Sequence, residues 1–121
     1  MVATQVRFFL SPGEMMPAAY QRPGLMSKDH ASFLPGNLLV RRRLFDDVGT
    51  FDPSLLIASD MDWFSRLQDH GVATHILPET LYFKRIHGDN LSAGPLSKQR
   101  YKHELLLALR ASVLRKRNGC L

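Results

Sequence analysis

The chain has 121 residues, 16 Lys and Arg against 11 Asp and Glu, one cysteine and 45% hydrophobic content. That length fits one domain or half of a larger one and leaves no room for two enzymatic domains, while the composition excludes a disordered chain. No apolar run approaches the ~18 residues of a membrane span, the opening MVATQVRFFL lacks a leader's basic-then-apolar layout, and the lone Cys120 excludes an internal disulfide framework. A cytoplasmic protein is the expectation, membrane-peripheral at most.

In chain order, Val2 to Leu10 reads as a strand with Val2, Val6, Phe8 and Leu10 on one face. Residues 11–36 carry four prolines and three glycines with no sustained period, which predicts a long irregular excursion of the kind that carries function or stays disordered. Leu38 to Val40 is a short apolar strand or helix lead-in. Arg41 to Val48 reads as a short helix stopped by Gly49, and Phe51 to Ser54 as a turn in which Asp52 bonds forward along the backbone.

Ser59 to His70 is the best-defined helix, with Ser59 and Asp62 spaced as a capping box and Gly71 as the stop. Val72 to Leu77 and Leu81 to His87 read as two strands around Pro78, followed by a turn at Gly88-Asp89-Asn90. Ser97 to Asn118 is a long helix with Tyr101, Leu105, Leu109 and Val113 as its apolar stripe. The chain thus divides into a strand plus irregular segment (1–34), a middle region (35–96) and a basic amphipathic helix (97–121).

Between Lys98 and Arg117 stand seven basic residues and one acid, Glu104, so this segment accounts for the whole excess of +5. A solvated helix face explains such a run, and so does an anionic surface. A small nucleic-acid-binding module is the weaker reading, because aromatic interleaving and any base-reading motif are missing.

The acids Asp60 and Asp62 differ in helical phase. Asp60, Trp63, Phe64 and Leu67 fall on one stripe whose aromatic and aliphatic members face the interior. Asp62 shares a face with Arg66 and Asp69, a solvated pattern with an ion pair one turn apart. An acid heading a buried stripe either complements the helix N-terminus or serves chemistry. The histidines show no zinc spacing, and phosphate-loop, metalloprotease and nucleophile-elbow motifs do not occur.

Three segments taken in order, GNLLVRRRLFDDVGTFDPSLL (36–56), SDMDWFSRLQDHGV (59–72) and LPETLYFKRIHGDNLS (77–92), resemble the C-terminal, acceptor-side half of family 2 glycosyltransferases with the GT-A fold. The resemblance implies an α/β enzyme, α+β in this portion: a partial GT-A-like domain with a few strands, two or three helices and the basic terminal helix. It makes residues 35–96 the acceptor-side region. The family's donor half, a nucleotide-binding βαβ region ending in an Asp-x-Asp metal motif, has no counterpart before residue 36. The chain then reads as a truncated gene product or an excised piece, inactive alone and prone to dimerise through exposed apolar surface.

The implied reaction is inverting sugar transfer from a nucleotide-sugar donor to an acceptor hydroxyl, with a divalent cation such as Mg²⁺ or Mn²⁺ neutralising the leaving diphosphate. Residue by residue, Asp60 matches the catalytic base, with Ser59 where the family commonly has Glu. Asn37, Asp62, Trp63 and Arg85 fall on the substrate-binding side, and His87 matches a position that reaches the metal or diphosphate in some relatives. The alternative is a non-catalytic interaction or scaffold domain; no nucleic acid partner is expected. Peripheral contact with an anionic membrane surface suits the basic helix.

Overall fold

Strand β1 (Val2–Leu10) is the centre of a four-stranded mixed sheet in a computed structural model that describes residues 1–119; Cys120 lies outside the described residues. Two-residue strands β2 (His30–Ala31) and β3 (Leu38–Leu39) pair with β1 antiparallel. Strand β4 (His75–Ile86) runs parallel to it, from Val2 beside His75 to Leu10 beside Ile86. Parallel partners need a long crossover, and helices α1 (Arg43–Val48) and α2 (Ser59–Asp69) supply it. Helix α3 (Ser97–Arg117) closes the described chain, giving a mixed α+β fold. The strand of the first sequence segment lies against β4 of the second, and α3 packs on α2, so the three segments share one structure.

In β1 the period of two holds where it matters: Val6 and Phe8 are buried while Arg7 and Phe9 are exposed. The alternation slips at its start, where Ala3 is buried in place of Val2, because the register with β4 is irregular between Ala3 and Val6. The expected pair of strands around Pro78 is a single strand. Proline lacks a ladder donor but is tolerated at a sheet edge, and among the described residues β4 pairs with β1 alone.

Two apolar clusters hold the structure. Val6, Phe8, Leu25 and Ile86 form one between the sheet and the irregular segment, and Trp63, Phe64 and Leu67 of α2 form the other with Phe33, Leu44 and Phe45 around them. Residues 11–36 are irregular as expected, apart from β2 and two single 3₁₀ turns, yet Leu25 is buried and pins the excursion to the sheet. The opposite sheet face, with Arg7, Phe9, Phe83 and Arg85, is exposed.

Helix α1 ends as expected at Gly49, whose φ of 88° and N–H bond to the Phe45 carbonyl (3.0 Å) close the turn. The Asp52 turn also forms, with its carboxylate accepting from the Ser54 backbone at 2.8 Å. Ser59 does not cap α2. Ala58 occupies that position with no capping side chain of its own, and the Glu104 carboxylate of α3 accepts the N–H groups of Leu56, Ile57 and Ala58 at 3.0, 2.7 and 2.8 Å. These three donors lead into the helix, where one charged carboxylate meets them at once; the first-turn N–H of Met61, which a cap at Ser59 would serve, is met by Asp60 Oδ1 at 2.8 Å.

The face of α3 that packs inward also differs from expectation. Ser97, Glu104, Ala108 and Ser112 are buried, whereas Leu109 and Val113 of the expected stripe are exposed. Small and polar side chains win this face because α2 presents Asp69, which accepts from Ser112 Oγ (2.9 Å) and pairs with Arg115 (2.8 Å) and Lys116 (3.2 Å). Burial alone would raise the Asp69 carboxyl, but these three partners hold it below its ordinary value. The solvated face expected for Asp62 and Asp69 is therefore an interior polar seam.

Candidate functional site

Helix phase carries Asp60 and Asp62 to different places, as their 200° separation requires. Asp62 is buried and accepts from Arg66 Nε at 2.9 Å. Arg66 goes on to donate to the carbonyls of Val48 (2.9 Å) and Thr50 (2.6 Å), tying α2 to the end of α1. The expected ion pair is present; the expected exposure to solvent is not.

Asp60 lines a cleft of ≈ 490 Å³ bounded by β4, the start of α3 and the irregular segment. Phe8, Phe33 and Leu34 line its apolar side, and Tyr20, Tyr101 and Ser92 bring aromatic faces and hydroxyls. Tyr20 and Ser92 hydrogen-bond to each other across the chain, which draws the loop after β4 onto the excursion. Ser97 Oγ donates to the Ser92 carbonyl at 2.8 Å and fixes the same loop to α3. Three cations also line the cleft: Arg22, Lys84 and Lys98.

Burial pushes the Asp60 carboxyl above the ordinary aspartate value, against backbone N–H bonds from Met61 and Asp60 itself and the attraction of Lys84. The Met61 N–H donates to Asp60 Oδ1 at 2.8 Å. A carboxylate with raised affinity for a proton, facing an open cleft, is equipped to take a proton from a bound hydroxyl.

The other sequence candidates lie elsewhere. Asn37 is buried with its amide spent: Nδ2 donates to the carbonyls of Thr4 (2.7 Å) and Ser32 (2.6 Å), and Oδ1 accepts from the Leu34 N–H (2.9 Å). Trp63 is 1% exposed, stacks on Phe45 at 4.7 Å and donates Nε1–H to the Gly49 carbonyl at 2.8 Å. It packs beneath α2 and leaves no surface for a sugar. Arg85 pairs in register with Phe9 and points to the exposed sheet face, away from Asp60. His87 follows β4 with its backbone N–H on Asn90 Oδ1 (2.6 Å), and the cleft takes Leu91 and Ser92 from this stretch rather than His87. Among the described residues no cluster of three or more His, Cys, Asp or Glu side chains is gathered to hold a metal.

Sequence reasoning missed Lys84, Tyr20, Arg22, Lys98 and Tyr101 as cleft residues. Lys84 was accessible to it, since Lys84 shares parity with Tyr82 and Ile86 and pairs beside inward-facing Phe8. Tyr20 and Arg22 sit in aperiodic chain, where nothing local sets their direction. Comparison of the chain with protein-family models, with curated proteins and with solved structures finds no match.

Proposed function

We propose that these residues form the acceptor side of an inverting, nucleotide-sugar-dependent glycosyltransferase, with Asp60 as the general base. The observation that carries this reading is the placement of Asp60: a partly buried carboxylate with a raised proton affinity, at the edge of a cleft lined by hydroxyls, aromatic faces and cations. Tyr20 and Tyr101 offer flat surfaces against which a sugar's C–H face packs, and Ser92 offers a hydroxyl partner. The ordered resemblance of residues 36–92 to family 2 glycosyltransferases supports the same reaction class.

In this mechanism the acceptor hydroxyl lies against Asp60. As its oxygen bonds to the anomeric carbon of the donor, the proton passes to the carboxylate, and the bond to the diphosphate breaks on the opposite side, inverting the centre. Charge on the departing diphosphate is met by Lys84, Lys98 and Arg22, the cations that the cleft itself provides. No step is assigned to a metal ion.

The exposed apolar residues Phe9, Leu81 and Phe83 on one sheet face favour a second reading, a non-catalytic interaction domain. One experiment separates the two. A donor-binding region is supplied in the same chain or in trans, and transfer is measured for the parent and Asp60→Asn. The base reading expects turnover to fall by roughly 10²–10⁴ with acceptor KM within a few-fold. The 121 residues alone are expected to turn over no nucleotide-sugar, since they hold the acceptor side only. Full turnover by Asp60→Asn rejects the assignment, and absence of saccharide binding at the cleft favours the interaction domain.

A further inference from the structure

The seam between α2 and α3 consumes Glu104, Asp69, Arg100, Arg115 and Lys116 in ion pairs. What remains on the outer face of α3 is of a different kind. Lys102, Leu106, Leu109, Arg110, Val113 and Arg117 fall at i, i+4, i+7, i+8, i+11 and i+15 along a single stripe, opposite the buried Glu104, Ala108 and Ser112. All six are exposed, and Leu106, Leu109 and Val113 are 65%, 51% and 56% accessible. Lys102, Arg110 and Arg117 make no ion pair among the described residues, and Glu104, the helix's lone acid, is buried on the other side.

We infer that this outer face docks onto an anionic lipid bilayer, with α3 lying in the plane of the interface. Aliphatic side chains on a free monomer surface are costly when they form a contiguous patch, and α3 adds Leu107 and Leu114 beside the stripe. A bilayer interface accepts both halves of the pattern. Leucine and valine enter the acyl boundary, while lysine and arginine stems run alongside them and carry their charges out to the lipid phosphates. No helix of the described residues is long and apolar enough to cross a membrane, so the contact is a surface one.

The same chemistry disfavours the other occupants. A second copy packed stripe to stripe would bring Lys102, Arg110 and Arg117 of both chains together without an acid to separate them. A polynucleotide would satisfy the cations but leave the leucines and valine in water, with no aromatic ring on the stripe to stack on a base. This inference does not depend on the glycosyltransferase reading.

The test is vesicle flotation of the whole chain with phosphatidylcholine alone and with phosphatidylcholine containing about 30 mol % phosphatidylserine. The expected result is flotation with the anionic vesicles only, weakening as salt rises. Leu106→Gln with Val113→Gln should lower the partition coefficient at least about tenfold, and Lys102→Gln or Arg110→Gln about fivefold each. Because these side chains are exposed, each variant should keep the parent's circular dichroism and melting temperature. Equal flotation with neutral vesicles, or none with anionic ones, overturns the inference. So does RNA binding that survives the Leu106 and Val113 substitutions without flotation, or a dimer that those substitutions dissolve.

Discussion

Glu104→Gln probes the contact that organises the start of α2. The Glu104 side chain is 5% exposed and receives four bonds: three backbone N–H groups at 2.7 to 3.0 Å and Arg100 Nε at 2.8 Å. Burial raises its carboxyl, but Arg100 and the N–H groups of Ala58, Ile57 and Leu56 outweigh it, bringing the value from 4.5 to about 2. At about 1.4 kcal/mol per unit, the ionised carboxylate stabilises the native state by about 3 kcal/mol. The folded value lies below the unfolded one, so this contribution is complete above pH 4.5 and is lost as pH falls toward 2.

Glutamine keeps the volume but turns an amide donor toward backbone donors and releases Arg100. The expected cost at neutral pH is about 3 kcal/mol, a large share of the 5–15 kcal/mol that holds a domain together. Urea unfolding followed by Trp63 emission reports it, since Trp63 is the one tryptophan and is buried. Repeating the titration at several pH values supplies the decisive comparison: parent and variant should converge as pH drops from 4.5 toward 2. A loss below about 1 kcal/mol, or parallel pH profiles, would refute the assignment of Glu104 as the anchor of this helix start.

Asp62→Asn should cost about 1–2 kcal/mol, because the Asp62–Arg66 pair is partly buried and Arg66 also holds two carbonyls; thermal melts showing no change would contradict that. Gly36→Ala should cost about 1–3 kcal/mol, since an added Cβ would stand 2.6 Å from Tyr82 Cζ. Shortening that ring with Tyr82→Leu in the same chain should recover part of the loss, and an undiminished Gly36→Ala protein would disprove the clash. Asp60→Asn should be as stable as the parent or more so at neutral pH, judged by the same urea titration. The sign follows from burial: a raised folded value means that the ionised form is disfavoured by folding, so stability declines as pH rises from 3.8 through that value.

Local periodicity and turn chemistry were enough to read β1, the Gly49 stop, the Asp52 turn, α2 and α3. The failures share a cause: in each, a residue distant in sequence decides the outcome. Ser59 has the chemistry of a cap, but Ala58 takes that position, and Glu104, 45 residues later, holds the N–H groups that lead into the helix. The leucines of α3 have the spacing of a buried stripe, but Asp69 on α2 selects Ser112 and Arg115 as the face to bury. At the site, Asp60 was legible because helix phase fixes where it points. Asn37 was not, because its three bonds connect β1, residue 32 and residue 34, a convergence that no local pattern encodes.

Among the acids of this helical layer, Asp62, Asp69 and Glu104 are buried, and each meets a guanidinium at 2.8 or 2.9 Å. These carboxylates hold structure, and the fold answers their charge in full. Asp60 is treated differently. It is partly buried at the start of α2, yet among the described residues no guanidinium pairs with it, and its bonds are to backbone N–H groups at its own position and the next. Lys84 attracts it without forming an ion pair among the described residues. The fold supplies arginines to Asp62, Asp69 and Glu104 and leaves the fourth acid lining a cleft. Stability measurements therefore discriminate between the two accounts of Asp60 before any substrate is known. If Asp60 serves only as a helix-start device, removing its charge weakens the protein through the helix dipole by ~0.3–1 kcal/mol. If it is a base held in readiness, removing the charge relieves its burial and leaves the protein at least as stable.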